Sequence, residues 1–364
     1  MSWAALWKRM AEDNRGPLRL LLPLLIPLSC AIAGAAGLRR QAIQTGWLAQ
    51  RRLPRPVISV GNLTVGGVGK TPVVIYLAKR LQENGLRPAV LTRGYRRQST
   101  QTEILLPGEC ADGRLAQCGD EPALISRKAN IPVGVDPNRY AAGNQLLQTG
   151  EADVFILDDG FQHLSLHRDL DLLVIDAANP WGNGWCLPAG PLREPCRVIH
   201  NASALIVRGA QDSALTAQLP LAPFYGQLAW QSLIPLPAWM AQDDSQSQPP
   251  QQFAGQSVDL LSGIANPHRL QTQAEDHGLH VARHHVFADH HWYTRAELEA
   301  ILAQPPERPL LTTEKDAIRL LALEGLPEVW RQRLFVIQTE WRMDDGPGLA
   351  AWLISRVEEC RPAH

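Results

Sequence analysis

Residues 57–81, VISVGNLTVGGVGKTPVVIYLAKRL, limit what this chain can fold into more than any other stretch. An apolar run enters a glycine-rich loop, then Lys70-Thr71, then a segment of helical character. Glycines let backbone N–H groups converge on phosphate oxygens, and a helix N-terminus adds partial positive charge. The pattern G-x-x-x-x-G-K-[ST] is not fully met, because Thr64 stands at its first glycine. The loop is nearer G-G-x-G-K-T, here Gly66-Gly67-Val68-Gly69-Lys70-Thr71. The expected nucleotide-binding residues are therefore Thr64, Val65, Gly66, Gly67, Val68, Gly69, Lys70 and Thr71. Lys70 would reach the β- and γ-phosphates as a catalytic cation, and Thr71 would hold Mg²⁺. A glycine-rich turn without chemistry is the alternative, and the flanking strand and helix argue against it.

A second motif supports the first. Asp153–Gln162, DVFILDDGFQ, is an apolar strand ending in Asp158 and Asp159. A carboxylate at the end of a buried strand beside the loop strand holds Mg²⁺ directly or through water. A turn or a helix cap is the other reading of these two residues, and Asp176 reads equally as a loop carboxylate.

Short apolar runs alternate with helical stretches along the chain. Val57–Val60, Ala89–Leu91, Ile131–Val135, Val154–Leu157, Leu172–Ile175 and Leu205–Val207 read as buried strands. Pro72–Gln82, Glu121–Ala129 and Asn138–Thr149 read as the helices between them. The expected fold class is α/β: a P-loop NTPase-type parallel sheet plus a second, smaller α/β domain. Residues 242–252, QDDSQSQPPQQ, read as a loop or linker. The expected domains are 1–40 as an N-terminal membrane anchor, 41–241 as the P-loop domain, 242–254 as linker and 255–364 as the smaller domain.

Leu20–Leu38 is uncharged and mostly apolar. Nineteen residues at 1.5 Å each give about 28 Å, close to the hydrocarbon thickness of a bilayer. Trp3, Trp7 and Trp47 flank it where interfacial aromatics sit. A cleaved signal peptide and a buried core helix are the competing readings. Export conflicts with a nucleotide motif about 30 residues on, and Pro23 and Pro27 spoil a soluble helix. Residues 1–60 carry nine Lys/Arg against Glu12 and Asp13, so a basic start precedes an otherwise acidic chain of formal charge -1. That suits an anionic membrane surface and gives no sign of nucleic-acid binding. The six cysteines show no C-x-x-C spacing and read as reduced thiols.

The ordered set GNLTVGGVGKTP, LTRGYR, GDEP, LDDGFQH, PAGPLREP, GIANP, FADHH and TTEKDA resembles the tetraacyldisaccharide 4'-kinase family of Gram-negative bacteria over nearly the whole chain. The resemblance implies transfer of the γ-phosphate of ATP, with Mg²⁺, to the 4'-hydroxyl of a tetraacylated glucosamine disaccharide 1-phosphate. It implies an enzyme at the inner membrane with its catalytic domains on the cytoplasmic side, and a site in a cleft between domains. A membrane lipid surface is then a partner, and no obligate protein partner is expected.

The resemblance points to Asp120 of GDEP as the base for the sugar hydroxyl, tuned by His290 of FADHH from the second domain. Read from its position alone, Asp120 is a helix N-cap. Glu121 is a second Mg²⁺ ligand or an outer-shell group. Arg193 suits the anionic part of the substrate, against a plain exposed arginine as the alternative. Tyr95 and His163 would line the site, and Asn62 would contact phosphate or sugar. His284, His285, His290 and His291 by spacing also admit a zinc site. The competing function is a membrane-associated ParA/MinD-type regulatory ATPase. Its signature lysine is replaced here by Val65, and the N-K-x-D motif of a GTPase is absent from the sequence.

Overall fold

The apolar runs become strands close to where the sequence places them. In chain order the strands are β1 (Val57–Gly61), β2 (Pro88–Thr92), β3 (Glu103–Leu105), β4 (Val133–Val135), β5 (Val154–Asp158), β6 (Leu170–Asp176), β7 (Ala204–Arg208), β8 (Phe224–Pro235), β9 (Ser257–Ser262), β10 (His280–Val286), β11 (Leu310–Thr313) and β12 (Leu334–Met343). The principal helices are α1 (Leu22–Gln44), α2 (Lys70–Glu83), α3 (Asp120–Ala129), α4 (Arg139–Gln148), α5 (Pro267–Asp276), α6 (Arg295–Leu302), α7 (Glu314–Leu320) and α8 (Gly346–Glu359). The structure is a computed structural model that describes the chain apart from residues 1–5, 8, 12–15, 96, 98, 110–113, 151, 306–307, 324–326, 328–331 and 362–364. Trp3, Lys8, Glu12, Asp13, Arg15 and Cys110 of the sequence reading lie outside the described residues.

The chain forms two compact units. The first comprises residues 1–93, 136–227 and 342–364. Its strands run β7-β6-β1-β5-β2, all parallel, with the start of β8 beside β7. β1, β2, β5 and β7 are buried along their full lengths, which is why they read as unbroken apolar runs rather than alternating ones. The register pairs Val60 with Asp158, so the carboxylate strand ends beside the strand that feeds the glycine loop.

The second unit comprises residues 94–135 and 228–341. Here β10-β9-β11-β12-β8 lie side by side, and β3 pairs with β4 antiparallel. One core gathers Leu115, Ala123 and Leu124 with Ile234, Trp239, Leu261, Leu298 and Ile318. These side chains come from stretches more than a hundred residues apart.

This division departs from the boundaries read in the sequence. Residues 94–135, placed with the first domain by chain order, pack instead with residues 228–341 because Leu115, Ala123 and Leu124 find their apolar partners there. The polar stretch at 242–252 is not a boundary. It folds back within the second unit, where Gln248 and Leu233 exchange two backbone hydrogen bonds of 2.8 Å. β8 was not foreseen, because Gly226, Gln227, Gln231 and Ser232 interrupt its apolar pattern.

Helix α1 continues a short 3-10 turn, Pro17–Leu21. Residues Leu18–Gln44 are long and apolar enough to cross a membrane and are almost unburied. Leu20, Leu24 and Leu28 stand exposed on one face at a spacing of four. The opposite side is fastened within its own unit. Ser29 Oγ donates to the Cys186 carbonyl at 2.7 Å, and Arg40 makes a buried 2.6 Å ion pair with Glu194. These ties run along the helix up to Arg40.

Candidate active site

In the first unit, β1 delivers Asn62 and the glycine loop to the N-terminus of α2. Gly66 and Gly69 hold φ of 110° and 95°, a region that side-chain-bearing residues enter at a cost. Gly69 occupies the cap position of α2, and no side chain caps that end. Its backbone N–H groups are therefore left for an anion. The segment after Asn62 is braced by the 187–193 loop: Val65 N donates to Pro191 O at 2.8 Å and Arg193 N to Leu63 O at 2.7 Å.

Lys70 Nζ donates to Asn62 Oδ1 at 3.0 Å and lies 3.4 Å from Asp159 Oδ1. Asn62 is fully buried and also donates to Thr64 O at 2.6 Å. Asn62 thus orients the lysine and the loop together. Burial pushes the Asp159 carboxyl upward, but Lys70 and Arg193 overcome this and hold it below its ordinary value. Asp159 sits at φ 53°, a left-handed conformation uncommon for a residue with a side chain.

Arg193 does not stand free for a substrate phosphate. Its Nη1 lies 2.8 Å from both Asp159 oxygens and 3.4 Å from Gln162 Oε1. The nearby carboxylate satisfies the guanidinium, as a partly buried charge requires. Gln162, which the sequence reading left unassigned, also donates to Asn62 O at 3.0 Å. His163 bonds Ser165 Oγ at 3.1 Å. Its pKa is pushed down to about 4 by burial and by the positive charges of Arg139, Arg168, Arg39 and Arg93.

The oxygen donors at this end of the unit are of the kind Mg²⁺ takes. Thr71 offers a hydroxyl at the start of α2, and Asp158 and Asp159 offer carboxylates at the end of β5, the hard ligands that ion takes. Among the described residues no three His, Cys, Asp or Glu side chains converge on a metal position. Of the histidine pairs, His284 bonds Ser262 Oγ at 2.8 Å and His291 lies 3.1 Å from both Glu297 oxygens.

The second unit holds the carboxylate–imidazole pair. His290 Nδ1 lies 3.0 Å from Asp120 Oδ2 and 3.3 Å from Oδ1. Both residues belong to this one unit, because residues 94–135 pack here. The expectation that the pair joins two domains is corrected: the contact already exists within a single compact body. Asp120 is the first residue of α3 rather than its cap, which is Gly119. Burial raises the Asp120 carboxyl, but the His290 hydrogen bond, Lys315 and Arg319 outweigh it and keep it below its ordinary value. His290 is held at φ 62°. The Tyr95 ring, itself exposed, stands 5.3 Å from the His290 ring.

Glu121, expected as a second Mg²⁺ ligand or an outer-shell group, accepts from Lys315 Nζ at 2.9 Å. An ammonium already neutralises that carboxylate within its own unit. Lys315 and Asp316 of the TTEKDA segment, and Arg319 two residues beyond it, were not assigned from the sequence, although the motif was visible.

A parallel sheet whose first strand feeds a glycine loop and an uncapped helix, with carboxylates on the next strand, defines a P-loop protein built for phosphoryl transfer. The comparisons narrow the class. The profile of the tetraacyldisaccharide-1-P 4'-kinase family, LpxK, matches residues 21–358, and the chain belongs to that family. A tetraacyldisaccharide 4'-kinase from Aeromonas salmonicida is 36% identical over 340 residues, 93% of each chain. One from Pseudomonas aeruginosa is 37% identical over 339 residues, again 93% of each. A solved LpxK structure from Aquifex aeolicus, in complex with ATP, is 30% identical with a TM-score of 0.74, covering 93% of this chain and 99% of that one. The chain is an ATP-dependent kinase of lipid A synthesis. The regulatory-ATPase reading is left without support.

Proposed function

We propose that this chain moves the γ-phosphate of ATP to the 4'-hydroxyl of a tetraacylated disaccharide 1-phosphate with Asp120 as the base. The observation that carries this is the Asp120–His290 contact of 3.0 Å beside a carboxylate kept ionised. A sugar hydroxyl is a weak nucleophile and gives up its proton as the phosphoryl group transfers. Asp120 accepts that proton. His290 donates Nδ1–H to the carboxylate and fixes its direction.

The first unit supplies the nucleotide-holding half of the chemistry. The loop amides from Gly66 to Gly69 and the α2 N-terminus cradle phosphate, while Thr64 and Val65 shape the loop, the Val65 amide being held by Pro191 O. Lys70 neutralises charge developing on the transferring group. Thr71, Asp158 and Asp159 would hold Mg²⁺, which when bound neutralises phosphate charge. Arg193 acts on Asp159 rather than on substrate, fixing the carboxylate by a salt bridge. Asn62 orients Lys70. Tyr95 lies beside His290 and His163 beside arginines, both suited to a sugar or an anionic group. The lipid substrate, the exposed leucines of α1 and the basic N-terminal stretch support a working position on the cytoplasmic face of an inner membrane.

Asp120→Asn tests the base. The amide keeps the shape of the carboxylate and the bond from Glu121 N, which is 2.9 Å in the native protein. A loss of roughly 100-fold or more in kcat is expected, with little change in KM for ATP. A normally folded variant that transfers phosphate to a tetraacyl disaccharide 1-phosphate at near the native rate rejects the assignment.

A further inference from the structure

Helix α7 brings two cations to the Asp120–His290 pair, and the function above uses neither. Arg319 is fully buried. Its Nη1 donates to Gly263 O at 3.0 Å and His291 O at 3.1 Å, its Nη2 lies 2.9 Å from Asp316, and its Nε lies 3.5 Å from Asp120 Oδ2. Asp316, equally buried, accepts from Gly263 N at 2.9 Å, Tyr293 OH at 2.7 Å and Thr313 Oγ1 at 2.6 Å. The GIANP, FADHH and TTEKDA segments are thereby locked together. His290 N is part of the lock, donating to Gly263 O at 3.1 Å.

Lys315 reaches the pair from its other side. Nζ donates to Glu121 Oε1 at 2.9 Å and lies 3.4 Å from His290 Nε2. Asp289 Oδ2 is also near that nitrogen, at 3.9 Å. A neutral imidazole has one donor and one acceptor nitrogen, and a lysine ammonium is a donor only. With Nδ1–H given to Asp120, Nε2 accepts from Lys315. Both ring nitrogens are then engaged, and the ring has one orientation. Glu121 aims the ammonium, so the acidic residue beside the base has a role of its own.

We propose that Lys315, tethered by Glu121, is a positioning residue that holds His290 by its Nε2 and so fixes the Nδ1–H on Asp120. This rests on the reading of Asp120 as base, and it concerns a residue with no assigned role there. Misplacing a catalytic group by a fraction of its reach costs on the order of 10- to 100-fold.

The test uses the full chain in detergent with Lys315→Met, Lys315→Arg, His290→Ala and the Lys315→Met/His290→Ala double variant. Lys315→Met should lower kcat about 10- to 100-fold while KM for ATP and for the lipid stays within about twofold. Arginine should restore part of the loss. In the His290→Ala background the same Met substitution should cost nothing further, since Lys315 acts through that ring. ¹⁵N spectra without ATP or lipid should show His290 with a protonated Nδ1 and a hydrogen-bonded Nε2, the latter moving toward a free ring nitrogen in Lys315→Met. If Lys315→Met does not fold, Lys315→Leu, which likewise has no donor, is read the same way. An equal loss in both backgrounds, a rise in either KM, or an unchanged kcat overturns the proposal. A moved Nε2 signal with unchanged kcat overturns it while leaving Asp120 as base. An active Asp120→Asn variant instead rejects the underlying reading.

Discussion

Two residues that carry side chains, Asp159 and His290, hold left-handed backbone at the two functional clusters. Strain of this kind costs of order 1–3 kcal/mol and persists where surrounding contacts over-determine it. Asp159 is pinned by Lys70 and Arg193, and His290 by Asp120, Lys315 and Gly263. At this scale the sequence was partly legible. Lys70 and Asp158 follow from the loop and the strand ending alone. Asp120 does not: an aspartate opening a helix looks the same whether it caps or catalyses, and its reading as base rests on the family motif. The Arg193–Asp159 salt bridge was not legible, because the two residues lie 34 apart and no spacing rule connects them. His163 gives a pH test. An ordinary histidine takes its proton below 6.5, whereas this one stays neutral to about 4 because burial and arginines oppose the charge. Between those values the unfolded chain binds the extra proton, so stability falls as pH drops from 6.5 to 4. His163→Gln should flatten that acid arm when Tm is followed against pH, and an unaltered slope would show that the ring contributes nothing to it.

At the scale of elements, the strands of the first unit were the easiest to read, because parallel strands covered on both faces give continuous apolar runs. β8 was hidden by its polar interruptions. The ties of α1 were hidden because they join it to residues 186–194, far along the chain. Those ties change what removal of the anchor should do. Deleting residues 1–38 removes the exposed leucines, and the protein should leave the membrane fraction in large part. Arg40 and its ion pair with Glu194 remain. Met10 and Ala11, which are fully buried, and the Ser29 bond are lost. The truncated protein should therefore stay folded with a lower Tm, read by circular dichroism beside membrane flotation. Continued tight flotation would assign the anchoring to another surface, and an unchanged Tm would show that the buried N-terminal residues add nothing to the fold.

At the scale of the whole molecule, chain order and spatial order part company. The chain passes from one unit to the other at 93/94, 135/136, 227/228 and 341/342, and the last two crossings fall inside β8 and β12. Sequence reading looks for a boundary at a polar, proline-rich stretch, and 242–252 met that description. Burial decides otherwise, since Leu115, Ala123 and Leu124 share a core with Ile234, Leu236 and Trp239. Residues 255–364 expressed alone should therefore not fold. They would lack the whole of α3 and β8, leaving Leu298, Ile301, Ile318 and Val336 without one wall of their core. Losing several buried apolar side chains at a few kcal/mol each exceeds the roughly 5–15 kcal/mol that holds an ordinary domain together. A fragment joining residues 94–135 to 228–341 through a short linker should do better, because it keeps that core and the Asp120–His290 contact. Limited proteolysis and amide exchange on the two fragments distinguish them. Protection of the 255–364 piece equal to that of the joined fragment would mean that the core formed by residues 94–135 and 228–241 is dispensable, and that the boundary near residue 241 was the true one.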